Sequence, residues 1–228
     1  MNSVLQRLKQ HTLFVYGYLF LLVAASVWLF INGKDNCFLF INQYHRPWLD
    51  YFFIGYTYMG NGLVIILLVL ILFFGLKKRK LAVTLLIAFS STGILAQIIK
   101  PLVHSPRPEN YFYPQRLSFF IDDVILAGDN SFPSGHTATA FAIAAVLALY
   151  TNKNWHHFLL LCAAVLVGFS RIFLSQHFLL DVLMGSFIGV LGGLLTVYLC
   201  RNLDENKLVI KKKKPTGNEN AGTVQEEL

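Results

Sequence analysis

The sequence predicts an all-α integral membrane protein, a six-helix bundle of membrane-crossing segments. Three observations predict it. Of the 228 residues, 55% are hydrophobic and only 14% are charged, against about 25% charged in an average soluble domain. The charges fall between long charge-free stretches, several near the ~20 residues that an α-helix needs to cross a bilayer core. Lys and Arg are shared unequally between alternate connecting segments, the bias that orients a chain in a membrane. This composition excludes a disordered chain, a collagen-like repeat and a disulfide-rich mini-protein, and it argues against a soluble globular domain.

The first span is Leu13–Ile31. Arg7 and Lys9 before it resemble the basic flank of a signal peptide, but the apolar run is long and Ala24-Ala25-Ser26 is a poor cleavage site, so the segment reads as a retained helix. Asn32–Asn61 is mixed and broken by Pro47, Gly55 and Gly60. Its aromatic residues, among them Tyr44, Trp48, Tyr51 and Tyr58, suit a helix lying at the membrane–water interface. A second span, Leu63–Leu76, is stopped by Lys77-Lys78-Arg79-Lys80, and Leu81–Ile99 forms the third. Lys100–Phe132, with four prolines, reads as a polar loop. The fourth and fifth spans, Ser134–Tyr150 and Phe158–Phe173, are short, and the sixth is Phe178–Cys200. Gly185, Gly189, Gly192 and Gly193 suit close helix packing in the sixth. Residues 1–200 thus form one membrane domain. Residues 201–228 read as a basic, disordered cytosolic tail.

The net charge of +7 does not point to nucleic acid, because the basic residues lie between apolar runs rather than along one face. With the N-terminus inside, 13 of the 19 Lys and Arg residues fall on inner segments. An even number of spans then puts both termini in the cytoplasm. This bias fits a bacterial inner membrane, with the opposite face toward the periplasm or exterior. Cys37, Cys162 and Cys200 lack the spacing of a disulfide framework or a metal site. His11, His45, His104, His156 and His157 have no evident carboxylate partner and read as interfacial.

Three polar clusters interrupt this chain, and all map to the outer face. The first holds Lys100 and Arg107 among prolines; alone it could be two cations snorkelling at a helix end. The second is Ser131-Phe132-Pro133-Ser134-Gly135-His136. Ser134 is a good N-cap, Gly135 permits close approach to the backbone, and a helix N-terminus favours an anion such as phosphate. His136 lies in that first turn. The third is Ser170-Arg171, then His177 and Asp181, four residues apart and so on one helix face. A carboxylate at a span's edge needs a partner. Asp181 could orient the ring of His177 through one nitrogen and leave the other free as nucleophile or base. Three cations and a helix N-terminus suit a dianionic phosphate. Two histidines, one backed by a carboxylate, suit phosphoryl transfer. No dense carboxylate or histidine cluster suits a divalent metal, and no cofactor is implied.

Lys-x6-Arg-Pro, Pro-Ser-Gly-His and Ser-Arg-x5-His-x3-Asp, in this order over residues 100–181, resemble the three-part signature of the type-2 phosphatidic acid phosphatase family. That family includes membrane lipid phosphatases as well as soluble haloperoxidases and acid phosphatases, and the span pattern is similar to the membrane branch. The resemblance implies that His177 attacks phosphorus and becomes phosphohistidine, held by Asp181. It implies that His136 protonates the leaving oxygen and later activates water. Lys100, Arg107, Arg171, Ser134 and the Gly135 N–H would bind phosphate oxygens, without a metal. The expected substrate is a membrane phospholipid or isoprenoid (pyro)phosphate: undecaprenyl pyrophosphate, phosphatidylglycerophosphate, phosphatidic acid, diacylglycerol pyrophosphate or lipid A. Two alternatives stay open, a lipid phosphotransferase using the same residues and a non-catalytic lipid-binding or transport protein on the same scaffold.

Overall fold

The computed structural model describes residues 12–112 and 129–203. Along them run α1 (Thr12–Asn42), α2 (Pro47–Tyr56), α3 (Gly62–Leu70), α4 (Arg79–Val103), α5 (Pro108–Phe112), α6 (Gly135–Leu149), α7 (Asn154–Phe173) and α8 (Leu179–Leu199). A 3₁₀ turn, Thr57–Gly60, joins α2 to α3, and a π turn, Ile71–Gly75, prolongs α3. Among the described residues, extended chain pairs only at an isolated bridge between Pro106 and Asn130. The class is all-α, as the composition and the charge-free stretches led one to expect. Tyr113, Arg116, Asp122, Asp123, His11 and the basic tail beyond Leu203 lie outside the described residues.

Four helices, α1, α4, α7 and α8, are long and apolar enough to cross a membrane, and α2 with α3 make a fifth candidate bent by 55°. The expected fourth span is α6, with 15 residues. It is about 22 Å long at 1.5 Å per residue, short of a ~30 Å hydrocarbon core. The surface of the bundle is apolar, with Phe30 90% and Leu63 77% exposed. Such a surface is stable only against lipid. The protein is an integral membrane protein.

Several boundaries differ from expectation. α1 runs past Ile31 to Asn42 and breaks at Gly33, whose φ of +76° is open to glycine without strain. Asn32 and Asn36 do not end the helix, because each amide donates to a carbonyl one turn back, Trp28 and Asn32. Beyond the break, Cys37, Phe38 and Ile41 are buried with Phe53, Phe173 and Phe178. α4 runs through Pro101 to Val103, so Lys100 sits on a helix and not at the start of a loop. The helix stops where His104 turns left-handed, with φ +47°, and its N–H reaches the Lys100 carbonyl at 3.4 Å. His157 is fully buried, its Nε2 lying 2.9 Å from the Thr151 carbonyl. His45 does have a carboxylate partner, Asp50 at 2.7 Å, brought near by the turn at Pro47.

α6 is the centre of the bundle, and nearly every side chain from Thr137 to Val146 is buried. Its many alanines let α4, α7 and α8 come close. The nearest approach is by α8. A Cβ on Gly185 would stand 2.5 Å from the Ser134 carbonyl, and one on Gly193 would stand 2.7 Å from the Ala142 carbonyl. Gly189, between them, meets Ala138 in the same way. Glycines four residues apart thus form the groove that receives α6.

Candidate active site

Because adjacent helices run antiparallel, the end of α4, the start of α6, the end of α7 and the start of α8 meet at one end of the bundle. Lys100, Arg107, Gly135, His136, Arg171 and His177 line a single cavity there of about 940 Å³. Six of the eight residues singled out from the sequence therefore share one wall. Ser134 and Asp181 are fully buried and do not line it.

Each polar group has a structural reason for its place. Ser134 caps α6: its Oγ accepts from the Thr137 N–H at 3.4 Å and lies 2.8 Å from Thr137 Oγ1. The hydroxyl thus helps to open the helix that carries Gly135 and His136. Gly135 and His136 follow the cap and line the cavity, so the positive end of α6 is turned toward it. Gly60 seats its turn against the same helix start, where a Cβ would stand 2.8 Å from the His136 carbonyl.

The two arginines share one neutral acceptor. Arg107 Nη1 donates to the Gln176 carbonyl at 2.9 Å and to Gln176 Oε1 at 3.3 Å. Arg171 Nη2 donates to the same Oε1 at 3.5 Å, and its Nη1 donates to Thr57 Oγ1 at 2.7 Å. Arg171 Nε is buried and has no hydrogen-bond partner among the described residues. Burial lowers the pKa of the Arg107 guanidinium, and Asp181 and Asp129 oppose the shift. With Lys100, these groups bring three cations to the cavity, which Asp129 also lines.

His177 sits on the loop between α7 and α8. That loop folds back on α7, with the N–H groups of Gln176 and His177 donating to the Arg171 carbonyl at 3.0 and 3.1 Å. It passes through Ser175, left-handed at φ +54°. Asn42 braces it from α1, donating to the Ile172 carbonyl at 3.1 Å and accepting from Ser175 Oγ at 3.3 Å. Asp181 Oδ2 is 3.6 Å from His177 Nδ1, beyond a good hydrogen bond. It accepts instead from the Phe178 N–H at 2.8 Å and from Ser131 Oγ at 2.5 Å, and Ser131 Oγ lies 3.2 Å from His177 Nδ1. The Asp181–His177 pair expected from their spacing is present at 3.6 Å, and a hydroxyl touches both partners. Burial pushes His177 down to about 4, partly opposed by its carboxylate neighbour, so the ring is neutral at ordinary pH.

The sequence reading did not give Ser131, Gln176 or Thr57 a role. Ser131 stands inside the second cluster and Gln176 directly before His177, so position alone could have raised both. Thr57 carried no signal, since only folding brings its turn to α7.

Among the described residues no group of three His, Cys, Asp or Glu side chains converges as a metal site. The cavity's other wall is the face of α4 that carries Phe89, Gly93, Ile94 and Ile98 with Ser90 and Gln97 among them, a mostly apolar strip leading away from the cations. The arrangement can hold an anionic head beside an apolar tail, with two imidazoles at the head.

Comparison with known proteins agrees. Residues 80–205 match the PAP2 superfamily model. The chain is 28% identical over 207 residues to the lipid A 4′-phosphatase of Bacteroides thetaiotaomicron, covering 87% of this chain and 90% of that one. It is 29% identical over 177 residues to the undecaprenyl-diphosphatase of Sulfolobus acidocaldarius, covering 75% and 82%. The crystal structure of Aquifex aeolicus LpxE superposes with a TM-score of 0.59 at 34% identity, covering 72% of this chain and 94% of that one. The matched stretch holds all three polar clusters and the helices that bring them together, and the chain belongs to the PAP2 superfamily.

Proposed function

We propose that this lipid phosphatase hydrolyses a phosphate monoester or diphosphate on a membrane lipid through a phosphohistidine at His177, without a metal. His177 Nε2 attacks phosphorus, forming an N–P bond as the bond to the leaving oxygen breaks. His136, protonated as the dianionic phosphate binds beside it, gives that proton to the leaving oxygen. Water then attacks phosphorus, His136 takes a proton from it, and the N–P bond breaks to release inorganic phosphate. Lys100, Arg107, Arg171 and the α6 N-terminus hold the phosphoryl oxygens as charge builds on them, the kind of contact whose loss costs ~10²–10³ in rate.

The observation that carries the reading is the single cavity where three cations, two imidazoles and a helix N-terminus meet beside the apolar face of α4. The buried, unpartnered Arg171 Nε supports an oxyanion ligand there. Relatives named for lipid A and undecaprenyl diphosphate support a phosphorylated lipid as the substrate class. The Lys and Arg bias supports six crossings with α6 as the shortest, both termini cytoplasmic, and a site facing the exterior of a bacterial inner membrane.

The test is inorganic phosphate release by purified protein from a panel of lipid phosphates in detergent with EDTA. Wild type is expected to be active on at least one. His177→Ala is expected to lose on the order of 10⁴-fold. Undiminished release by His177→Ala would defeat the phosphohistidine, and loss with EDTA restored by Mg²⁺ would defeat metal independence.

A further inference from the structure

A histidine can attack through Nε2 only if its proton stays on Nδ1, and something must hold it there. The sequence nominated Asp181, but its carboxylate is 3.6 Å from Nδ1. Ser131, fully buried, touches both, with Oγ 2.5 Å from Asp181 Oδ2 and 3.2 Å from His177 Nδ1. A hydroxyl has one proton, and an ionised carboxylate can only accept. The Ser131 proton therefore goes to Asp181, and the hydroxyl oxygen is left as an acceptor facing Nδ1. A neutral His177 can satisfy that acceptor only as the Nδ1–H tautomer.

We infer that Ser131 is a positioning residue that relays Asp181 to His177, fixing the tautomer and ring orientation that expose Nε2 to phosphorus. The chain of donors runs Nδ1–H to Oγ, then Oγ–H to Oδ2. When Nε2 carries the phosphoryl group the ring is cationic, and the same chain leads its charge toward the carboxylate. Ser131 is itself held from outside the pair, its N–H donating to the Ser105 carbonyl at 2.7 Å beside the Pro106–Asn130 bridge. The loop that delivers Arg107 thus also sets the hydroxyl that aligns His177. The inference rests on His177 being the nucleophile.

The experiment is steady-state phosphate release from dioctanoyl phosphatidic acid in mixed micelles by wild type, Ser131→Ala, Ser131→Thr, Asp181→Asn, the Ser131→Ala/Asp181→Asn double variant and His177→Ala. Ser131→Ala is expected to lower kcat about 10²-fold, the scale of a misaligned reacting group, with KM within about twofold because the cations are untouched. Ser131→Thr, which keeps the hydroxyl, is expected to recover most of the rate. The double variant is expected to be no slower than the slower single one, since both act through one chain. Full kcat in Ser131→Ala, or additive losses in the double variant, with His177→Ala inactive, overturns the relay and leaves the nucleophile standing. An active His177→Ala overturns both. Should Ser131→Ala not yield monodisperse protein, Ser131→Cys serves: a thiol is a poor donor, so a lowered kcat is expected and a wild-type kcat overturns the relay.

Discussion

The N–H of Ser134 donates to the carbonyl of Asp181 at 3.0 Å. One bond between two backbones joins the cap of α6 to the first turn of α8, and so sets the α6 N-terminus against the loop carrying His177. It forms because α8 meets α6 with glycine. Gly185→Ala places a methyl 2.5 Å from the Ser134 carbonyl and 3.2 Å from Thr137 Cβ, so the helices must part. The expected cost is about 1–3 kcal/mol, read as a lower melting temperature in detergent, with a fall in kcat because the site is displaced with the helix. Wild-type stability and rate would contradict this account.

Arg171 uses its whole fork, touching Thr57 and Gln176 and keeping Nε buried. Lysine carries the charge but not the fork. Arg171→Lys is therefore expected to lower kcat/KM by about 10²–10³. Gln176→Leu removes the side-chain oxygen shared by the two arginines but keeps the backbone acceptor of Arg107, so its loss should be smaller, about tenfold. Equal effects in steady-state kinetics would show that Gln176 does not hold the pair.

The acid side of the pH profile should be displaced. Burial pushes His177 from 6.5 down to about 4, so the nucleophile stays unprotonated well below pH 6.5. The acid limb of kcat/KM, corrected for the second ionisation of the phosphate near ~6, is expected to lie nearer 4. Stability runs the same way. The unfolded chain takes up this proton at about 6.5, so the His177 contribution is intact above that pH and is lost as pH falls toward 4. An acid limb at 6.5 would mean that the ring is not buried as described.

Gly93 lies in the apolar wall of the cavity, and a Cβ there meets nothing within 4 Å. Gly93→Phe is expected to fold and to fill the strip beside Ile94. Hydrolysis of long-chain lipid phosphates should fall at least about tenfold, while that of a short-chain substrate stays near wild type. A uniform change across chain lengths would place the tail elsewhere.

Much of this molecule was legible in one dimension. Charge-free runs forecast the helices because a bilayer-sized apolar segment must satisfy its backbone internally. Lys100, Arg107, His136, Arg171 and His177 stood out because ionisable groups are rare and costly beside such runs. Alternation of helix direction was enough to predict that they meet at one end.

What folding alone decided was which atoms touch. The i, i+4 spacing suggested that Asp181 holds His177, but nothing along the chain showed that a hydroxyl 46 residues before His177 touches both. Thr57, 114 residues from Arg171, anchors a cation with no motif of its own. Periodicity and charge act along the chain or across a whole membrane, over many residues at once, and leave their mark in composition. A hydrogen bond depends on a few tenths of an ångström between segments far apart in sequence, and only the packed helices set that distance.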